Sequence, residues 1–338
     1  MYVLFTIDVE TRGSGRGVGN PLIDILGRVP GEDERFGLEK MMDILDRHGV
    51  KGTFFVNPYE TPVYGEEVLS QACRTIVRRG HDLELHTHPK PAFGFWSMRE
   101  VDRTTQTKVL KWGLEKIQGW VGDWRPVAHR AGAYAGNLDT LLACAAVGIP
   151  MDFSYNYSVP FWRPAQKRVG TFNRPVVVNG ILEVPVTSYV QFSLGPWEKL
   201  GFVDLESSTL SEIRYVLRSL LEAGVGTAVV MMHSFSFVRN GVPDREVIGK
   251  FDQLLGMLVP DPRYAVVSAR ELFDAAKSGE VALDTSDLLP ETGLVLTYLR
   301  AWARIDEGWR NTAVALAPIG IIVLLLLRPS KVLPDVLV

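Results

Sequence analysis

The tripeptide His86-Thr87-His88 is the sharpest chemical arrangement in the chain. Residues two apart on an extended segment point to the same side, so both imidazoles can reach one ion. Near the amino terminus, the apolar run Tyr2-Val3-Leu4-Phe5-Thr6-Ile7 ends at Asp8 and Glu10. A carboxylate from Asp8 or Glu10 with two imidazoles makes a two-His, one-carboxylate set. Such a set leaves coordination positions open for water and substrate, as catalytic rather than structural metal centres do. Arg130, Asp152 and His233 also stand at or just beyond short apolar runs.

These residues need elements that bring them to one place, and the chain alternates strand and helix signals. Strands are predicted over 2–8, 52–56, 82–86, 127–129, 182–186, 227–232 and 264–268, that at 182–186 of edge type because it contains Pro185. Helices are predicted over 36–49, 68–79, 99–119, 138–147, 210–223 and 247–258, several stopped by a glycine such as Gly49, Gly80 or Gly148. This alternation predicts an α/β fold, a distorted (β/α) barrel of about seven parallel strands with a C-terminal helical hydrophobic tail. Asp8, Glu10, His86, His88, Arg130, Asp152 and His233 then all fall at the C-terminal ends of strands, the face on which such barrels build active sites.

Charge and composition narrow the function. With 36 Lys+Arg against 39 Asp+Glu, the chain lacks the basic excess that nucleic acid would need, and no such partner is expected. A 46% hydrophobic share in 338 residues supplies a large core. Cys73 and Cys144 lie in apolar helical stretches and read as buried thiols rather than a disulfide pair. The opening residues lack a charged segment, and Asp8 interrupts the apolar run too early for a signal peptide, so a cytoplasmic location is expected.

Ordered motifs carry a resemblance to the polysaccharide deacetylase family, the NodB-homology or carbohydrate esterase family four. They are Phe5-Thr6-Ile7-Asp8-Val9-Glu10, the segment from Ile44 to Val56, Gly80-His81-Asp82-Leu83-Glu84-Leu85-His86-Thr87-His88, His129-Arg130-Ala131-Gly132, Gly148-Ile149-Pro150-Met151-Asp152-Phe153-Ser154, and Val230-Met231-Met232-His233-Ser234. The resemblance covers roughly residues 2–275. It implies a hydrolase of carbon–nitrogen, non-peptide bonds that removes an N-acyl group, acetyl above all, from an amino sugar. By residue it implies Asp8 as general base, His86 and His88 as metal ligands, Arg130 orienting the base, His233 as general acid, and Asp152 beside His233 holding it; the carboxylate ligand is Glu10, with Asp8 the alternative. The implied cofactor is a divalent ion, Zn²⁺ first, with Co²⁺, Mn²⁺ or Ni²⁺ compatible. The chemistry is coherent: the ion lowers the pKa of water to about 7, a carboxylate takes its proton and an imidazolium protonates the leaving amine. Backbone N–H groups at Gly132 and Ala133 are expected to face the developing oxyanion, and Glu183 to reach substrate from a strand end.

Two departures mark this sequence as a divergent member. Val9 replaces the second of the family's adjacent aspartates, displacing that carboxylate to Glu10. The histidines are two apart rather than in an H-x-x-x-H arrangement, and Lys90 stands where the later ligand would fall. His81 precedes its strand and reads as a turn residue, and His129 as a partner of the site or a packed core residue. Phe93, Phe95, Trp96, Trp162 and Trp197 occur in loop-like segments where sugars could stack or core could form.

Three segments are expected: a catalytic barrel over 1–277, a linker over 278–293, and an amphipathic helix with a hydrophobic tail over 294–338. Ala313 to Leu327 is uncharged, but as a helix it would span only about 22 Å against a hydrocarbon core of about 30 Å. With Trp302 and Trp309 ahead of it, it suggests contact with lipid at the cytoplasmic face of a membrane, and hence a lipid-linked glycan precursor as substrate. Two other readings are a hydrolase of a non-sugar amide on the same fold and a non-catalytic carbohydrate-binding barrel. The oligomeric state is left open.

Overall fold

Strand β1 (Tyr2–Val9) is nearly all apolar because both of its faces are covered. Val3, Phe5, Ile7 and Val9 face outward into a large layer shared with the surrounding helices, while Leu4 joins an inner cluster with Phe55, Ala128, Phe153, Leu182 and Val229. Side chains alternate along a strand, so Thr6 and Asp8 share the inner face with Leu4. The chain is described by a computed structural model over residues 1–14, 16–165, 169–194, 197–280, 285–293, 295–297 and 300.

On one side β1 pairs with β10 (Thr227–His233), and on the other with β2 (Thr53–Val56). The sheet continues through β3 (Asp82–Thr87), β4 (Ala128–Ala131), β5 (Met151–Asp152) and β7 (Ile181–Glu183), every pairing parallel. An antiparallel β6 (Val176–Val178) ends the row, and β13 (Ala265–Val266) adds to the start of β1. Eight strands run parallel, one more than the seven runs marked in the sequence because the short β5 is added, and the sheet curls into a half-barrel of the expected α/β class. Strand β7 is shorter than expected and pairs on both sides, because it ends before Pro185, which cannot donate to the ladder. Strands β8 (Ser188–Leu194) and β9 (Trp197–Phe202) form a separate hairpin, as do the short β11 (Val238–Arg239) and β12 (Val242–Pro243).

The helices Leu38–Arg47, Glu67–Arg78, Arg103–Val121, Leu138–Ala146, Leu210–Glu222 and Arg245–Leu258 pack on the outside. Their starts have local causes. Asp102 caps the third of them, and Asn137 with Thr140 and Thr209 with Glu212 form reciprocal capping boxes. The helix Ala269–Ser278 seals the other end of the barrel from the site. Its first N–H groups donate to Thr53 Oγ1 and Asp82 Oδ2 at the starts of β2 and β3, and Ala269 and Leu272 enter the inner cluster. Chemistry is thereby left to the opposite, C-terminal ends of the strands.

Beyond this helix, Asp287 accepts from the backbone N–H groups of Phe172, Asn173 and Arg174, and Thr292 pairs with Val190. Among the described residues no helix is long and apolar enough to cross a membrane. The expected hydrophobic tail lies outside the described residues. Cys73 and Cys144 are buried free thiols, as expected.

His81 is the turn residue its position suggested. Its Nδ1 accepts from Gly52 N–H at 3.2 Å, and its Nε2 lies 3.4 Å from Asp46 Oδ1. Burial outweighs the pull of Asp46 and lowers the imidazole to about 4. The unfolded chain therefore binds this proton more readily, and stability attributable to His81 falls as pH drops from about 6.5 to about 4. His81→Asn keeps the acceptor and removes the titration. Denaturant unfolding across that interval is expected to show a shallower loss of stability in the variant; parallel curves would refute the assignment.

Candidate active site

The inner face of β1 carries Asp8 to the upper end of the barrel, where Arg130 of β4 meets it. Arg130 is fully buried, and its Nη1 donates to Asp8 Oδ1 at 2.7 Å. Its Nη2 donates to Thr6 Oγ1 and its Nε to the Phe153 carbonyl, while the ring of Phe55 lies 4.4 Å from the guanidinium carbon. A buried cation is tolerated only when paired and saturated with acceptors, and these contacts supply both. One carboxylate oxygen of Asp8 is thereby fixed, and the other faces His86 Nε2 at 3.7 Å.

His86 on β3 has a defined tautomer. Its Nδ1 lies 2.9 Å from the Arg130 carbonyl, which can only accept, so Nδ1 carries the proton. In the neutral ring Nε2 is then a bare acceptor. It is buried without a hydrogen-bond partner and looks at Glu10 Oε2, 3.5 Å away, as well as at Asp8. Glu10 Oε2 also lies 2.9 Å from His88 Nε2. Burial alone would raise the Glu10 carboxyl, but His88 and His86 outweigh it and hold the group well below its ordinary value. A lone pair facing two carboxylates calls for a cation between them. Glu10, His86 and His88 thus form a group able to hold a metal ion, with donor types suited to a borderline divalent ion.

The alternation of β3 sends Glu84, His86 and the following His88 inward together. Close packing positions His88: a Cβ at Gly132 would strike its imidazole ring, so only glycine admits the ring there. Asn57 Oδ1 accepts from His88 N–H, and Asn57 donates to Glu60, whose carboxylate receives Thr11 N–H just past Glu10. Burial, aided by the charge of Glu10, raises Glu60 well above the ordinary carboxyl range.

His233 at the end of β10 is the register partner of Asp8 on the adjacent strand, its Nε2 3.9 Å from Glu10 Oε1. Its Nδ1 bonds Glu206 Oε1 at 2.7 Å, and Phe235 stacks on the ring at 4.5 Å. Burial lowers the imidazole, but the bond and charge of Glu206 prevail and bring it to about 9. His233 is therefore an imidazolium at neutral pH. The cleft that joins these groups has a volume of about 210 Å³ and is also lined by Ala133, Tyr134, Phe202 and Met231. Larger surface hollows lack this convergence of carboxylates and imidazoles.

Two expected site residues stand elsewhere. Asp152, expected beside His233, instead bonds His129 Nδ1 at 2.6 Å, because β5 lies on the far side of the sheet from β10. Glu206 takes the place beside His233. His129 Nε2 also meets Thr87 Oγ1, so the buried His129, Asp152 and Cys144 form a packed group with both ring nitrogens engaged. Glu183, the register partner of Asp152, is fully buried and accepts from Tyr155 N–H rather than lining the cleft. Burial, reinforced by Asp152, raises its carboxyl well above the ordinary range.

Ala133 lines the cleft, and Gly132 beside it packs against the His88 ring. Ala133 and Tyr134 adopt left-handed backbone, φ 51° and 58°, a strained turn that arches this loop over the site. The Tyr134 hydroxyl is buried without a partner, and burial keeps it protonated far above neutrality, a donor held ready in the cleft. Of the aromatic candidates, Trp162 is core, Phe93 and Phe95 pack together and against the core, and Trp96 and Trp197 are exposed.

Replacing Arg130 by Met strands the Asp8 carboxylate in a buried pocket. Arg130→Met is expected to cost about 3–5 kcal/mol, read by denaturant unfolding, and adding Asp8→Asn is expected to restore part of it. Additive losses in the double variant would show that the pair is not coupled.

No curated protein matches the chain in sequence. The family model described as polysaccharide deacetylase matches residues 33–151, from before the helix Leu38–Arg47 to the start of β5. A solved structure assigned as a polysaccharide deacetylase from Mycobacterium smegmatis is similar at 20% identity, with 87% of this chain and 94% of that one covered and a TM-score of 0.54. A family 4 carbohydrate esterase from Bacillus anthracis is similar at 12% identity, covering 81% and 83%, with a TM-score of 0.42. The peptidoglycan deacetylase PdaC from Bacillus subtilis is similar at 14% identity, covering 82% and 93%, with a TM-score of 0.40. Residues 33–151 thus carry the sequence pattern of the polysaccharide deacetylases, and most of the chain shares the fold of a structure assigned to them.

Proposed function

We propose that the chain is a metal-dependent hydrolase that removes an N-acetyl group from an amino sugar of a glycan. The observation that carries this reading is that two proton-transfer groups, Asp8 and His233, both adjoin one acceptor cluster, at 3.7 Å from His86 and 3.9 Å from Glu10 respectively. Glu10, His86 and His88 would hold a divalent ion, which when bound supplies an acidified water and polarises the amide carbonyl. Zn²⁺ suits the two imidazoles and one carboxylate best.

Asp8, kept in place by Arg130, takes the proton of the attacking water. His233, an imidazolium oriented by Glu206, delivers its proton to the departing amine, without which the carbon–nitrogen bond does not break. The oxyanion that forms in between needs donors in fixed positions. The Gly132–Tyr134 loop and the unpartnered Tyr134 hydroxyl support that role.

Full-length protein supplied with Zn²⁺ is expected to release acetate from N-acetylglucosamine oligomers. Asp8→Asn is expected to lower kcat by about 10²–10⁴-fold. Absence of acetate from glycans, lipid-linked sugars and nucleotide sugars alike, with no metal by elemental analysis, would refute the reading.

A lipid-linked glycan precursor at the cytoplasmic membrane face is the more specific form of the proposal. Its support is the uncharged run Ala313 to Leu327 and the tryptophans ahead of it. A chain ending at residue 300 keeps the contacts of Thr292 and Arg300 with the body, and is expected to shift from membrane to soluble fractions. Unchanged fractionation would remove this form.

A further inference from the structure

Lys90 and Trp96 play no part in the chemistry above, but the chain leads to them directly from the cleft residue His88. The Lys90 Nζ lies 4.8 Å from the centre of the Trp96 ring, and the Arg16 guanidinium carbon 4.5 Å from it. Both cations are tied to the cleft by short stretches of chain. Lys90 follows His88 by two residues. Arg16 follows Ser14 by two, and Ser14 Oγ lies 3.3 Å from Glu10 Oε2 and 3.4 Å from His88 Nε2.

We propose that Arg16, Trp96 and Lys90 form a subsite at the cleft mouth for an anionic group of the substrate, a carboxylate or a phosphate, beside the N-acylated sugar. This rests on the deacetylase reading and names its substrate class.

Charge balance is the first argument. Among the described residues neither cation has a carboxylate within ion-pair distance, and Lys90 Nζ donates only to the neutral Gly94 carbonyl at 2.8 Å. The carboxylate of Glu100 is taken up by Trp96 N–H and the Ser97 hydroxyl, both at 3.0 Å. Two cations against one ring, neither of them ion-paired, leave a local positive charge that an anion would balance. The guanidinium fork matches the oxygens of a carboxylate or phosphate, and the half-exposed indole offers an apolar face to a sugar ring.

Chain continuity is the second argument. His88 and Ser14 line the cleft, and each stands two residues from one of the two cations, so a sugar whose acyl group enters the cleft carries its neighbouring substituents toward them.

The test is calorimetric binding to the full-length protein at low ionic strength. One arm compares a hyaluronan tetrasaccharide, which alternates N-acetylglucosamine with a carboxylate sugar, with the neutral chitin tetrasaccharide. The other compares N-acetylglucosamine 1-phosphate with N-acetylglucosamine. The charged member of at least one pair is expected to bind roughly tenfold tighter, the preference shrinking with added salt and in Arg16→Gln/Lys90→Gln. The arm that responds names the anion. Equal or weaker binding of both charged members, or a preference that survives the double variant with its melting temperature intact, would overturn the subsite. Binding preference without acetate release would instead fault the hydrolase reading alone.

Discussion

A guanidinium sealed inside the barrel requires a carboxylate, and the site is arranged around that requirement. Arg130 reaches from β4 to Asp8 on β1, past the intervening β2 and β3, and has no route to water. Leaving either partner unpaired is costly, so the pair fixes how far the curled sheet brings β1 and β4 together. The same residue acts a second time through its backbone, because its carbonyl takes the His86 Nδ1 proton and leaves Nε2 bare. One residue thus sets the orientation of the proposed base and the tautomer of a proposed ligand. A second charged pair, His233 with Glu206, stands beside it and favours the protonated imidazole.

Much of this was legible in the sequence because it depends on local periodicity. The alternation of strand and helix signals, with acids and histidines at strand ends, is enough to place Asp8, Glu10, His86, His88, Arg130 and His233 on one rim. Two-residue alternation alone puts His86 with His88, and Thr6 with Asp8, on one side of their strands.

What could not be read depends on contacts between distant segments. Glu206 follows the β9 strand in a loop with no motif around it, and only the packing of that loop against β10 brings it to His233. Asp152 has the right type and the right strand-end position, but the strand order gives it to His129. The demand for glycine at 132 likewise comes from the His88 ring, which lies 44 residues earlier in the chain and just past the end of a neighbouring strand. Sequence spacing specifies which face a side chain takes; strand order and loop packing decide whom it meets.

The central claim is that Glu10, His86 and His88 hold a divalent ion beside the two proton-transfer groups. X-ray absorption at the zinc edge of Zn²⁺-loaded full-length protein tests it most directly. The account predicts a first shell of imidazole nitrogens and carboxylate or water oxygens, with no sulfur, that loses imidazole scattering in His88→Ala. Sulfur in that shell would place the ion instead with His129, Cys144 and Asp152, and contradict the account.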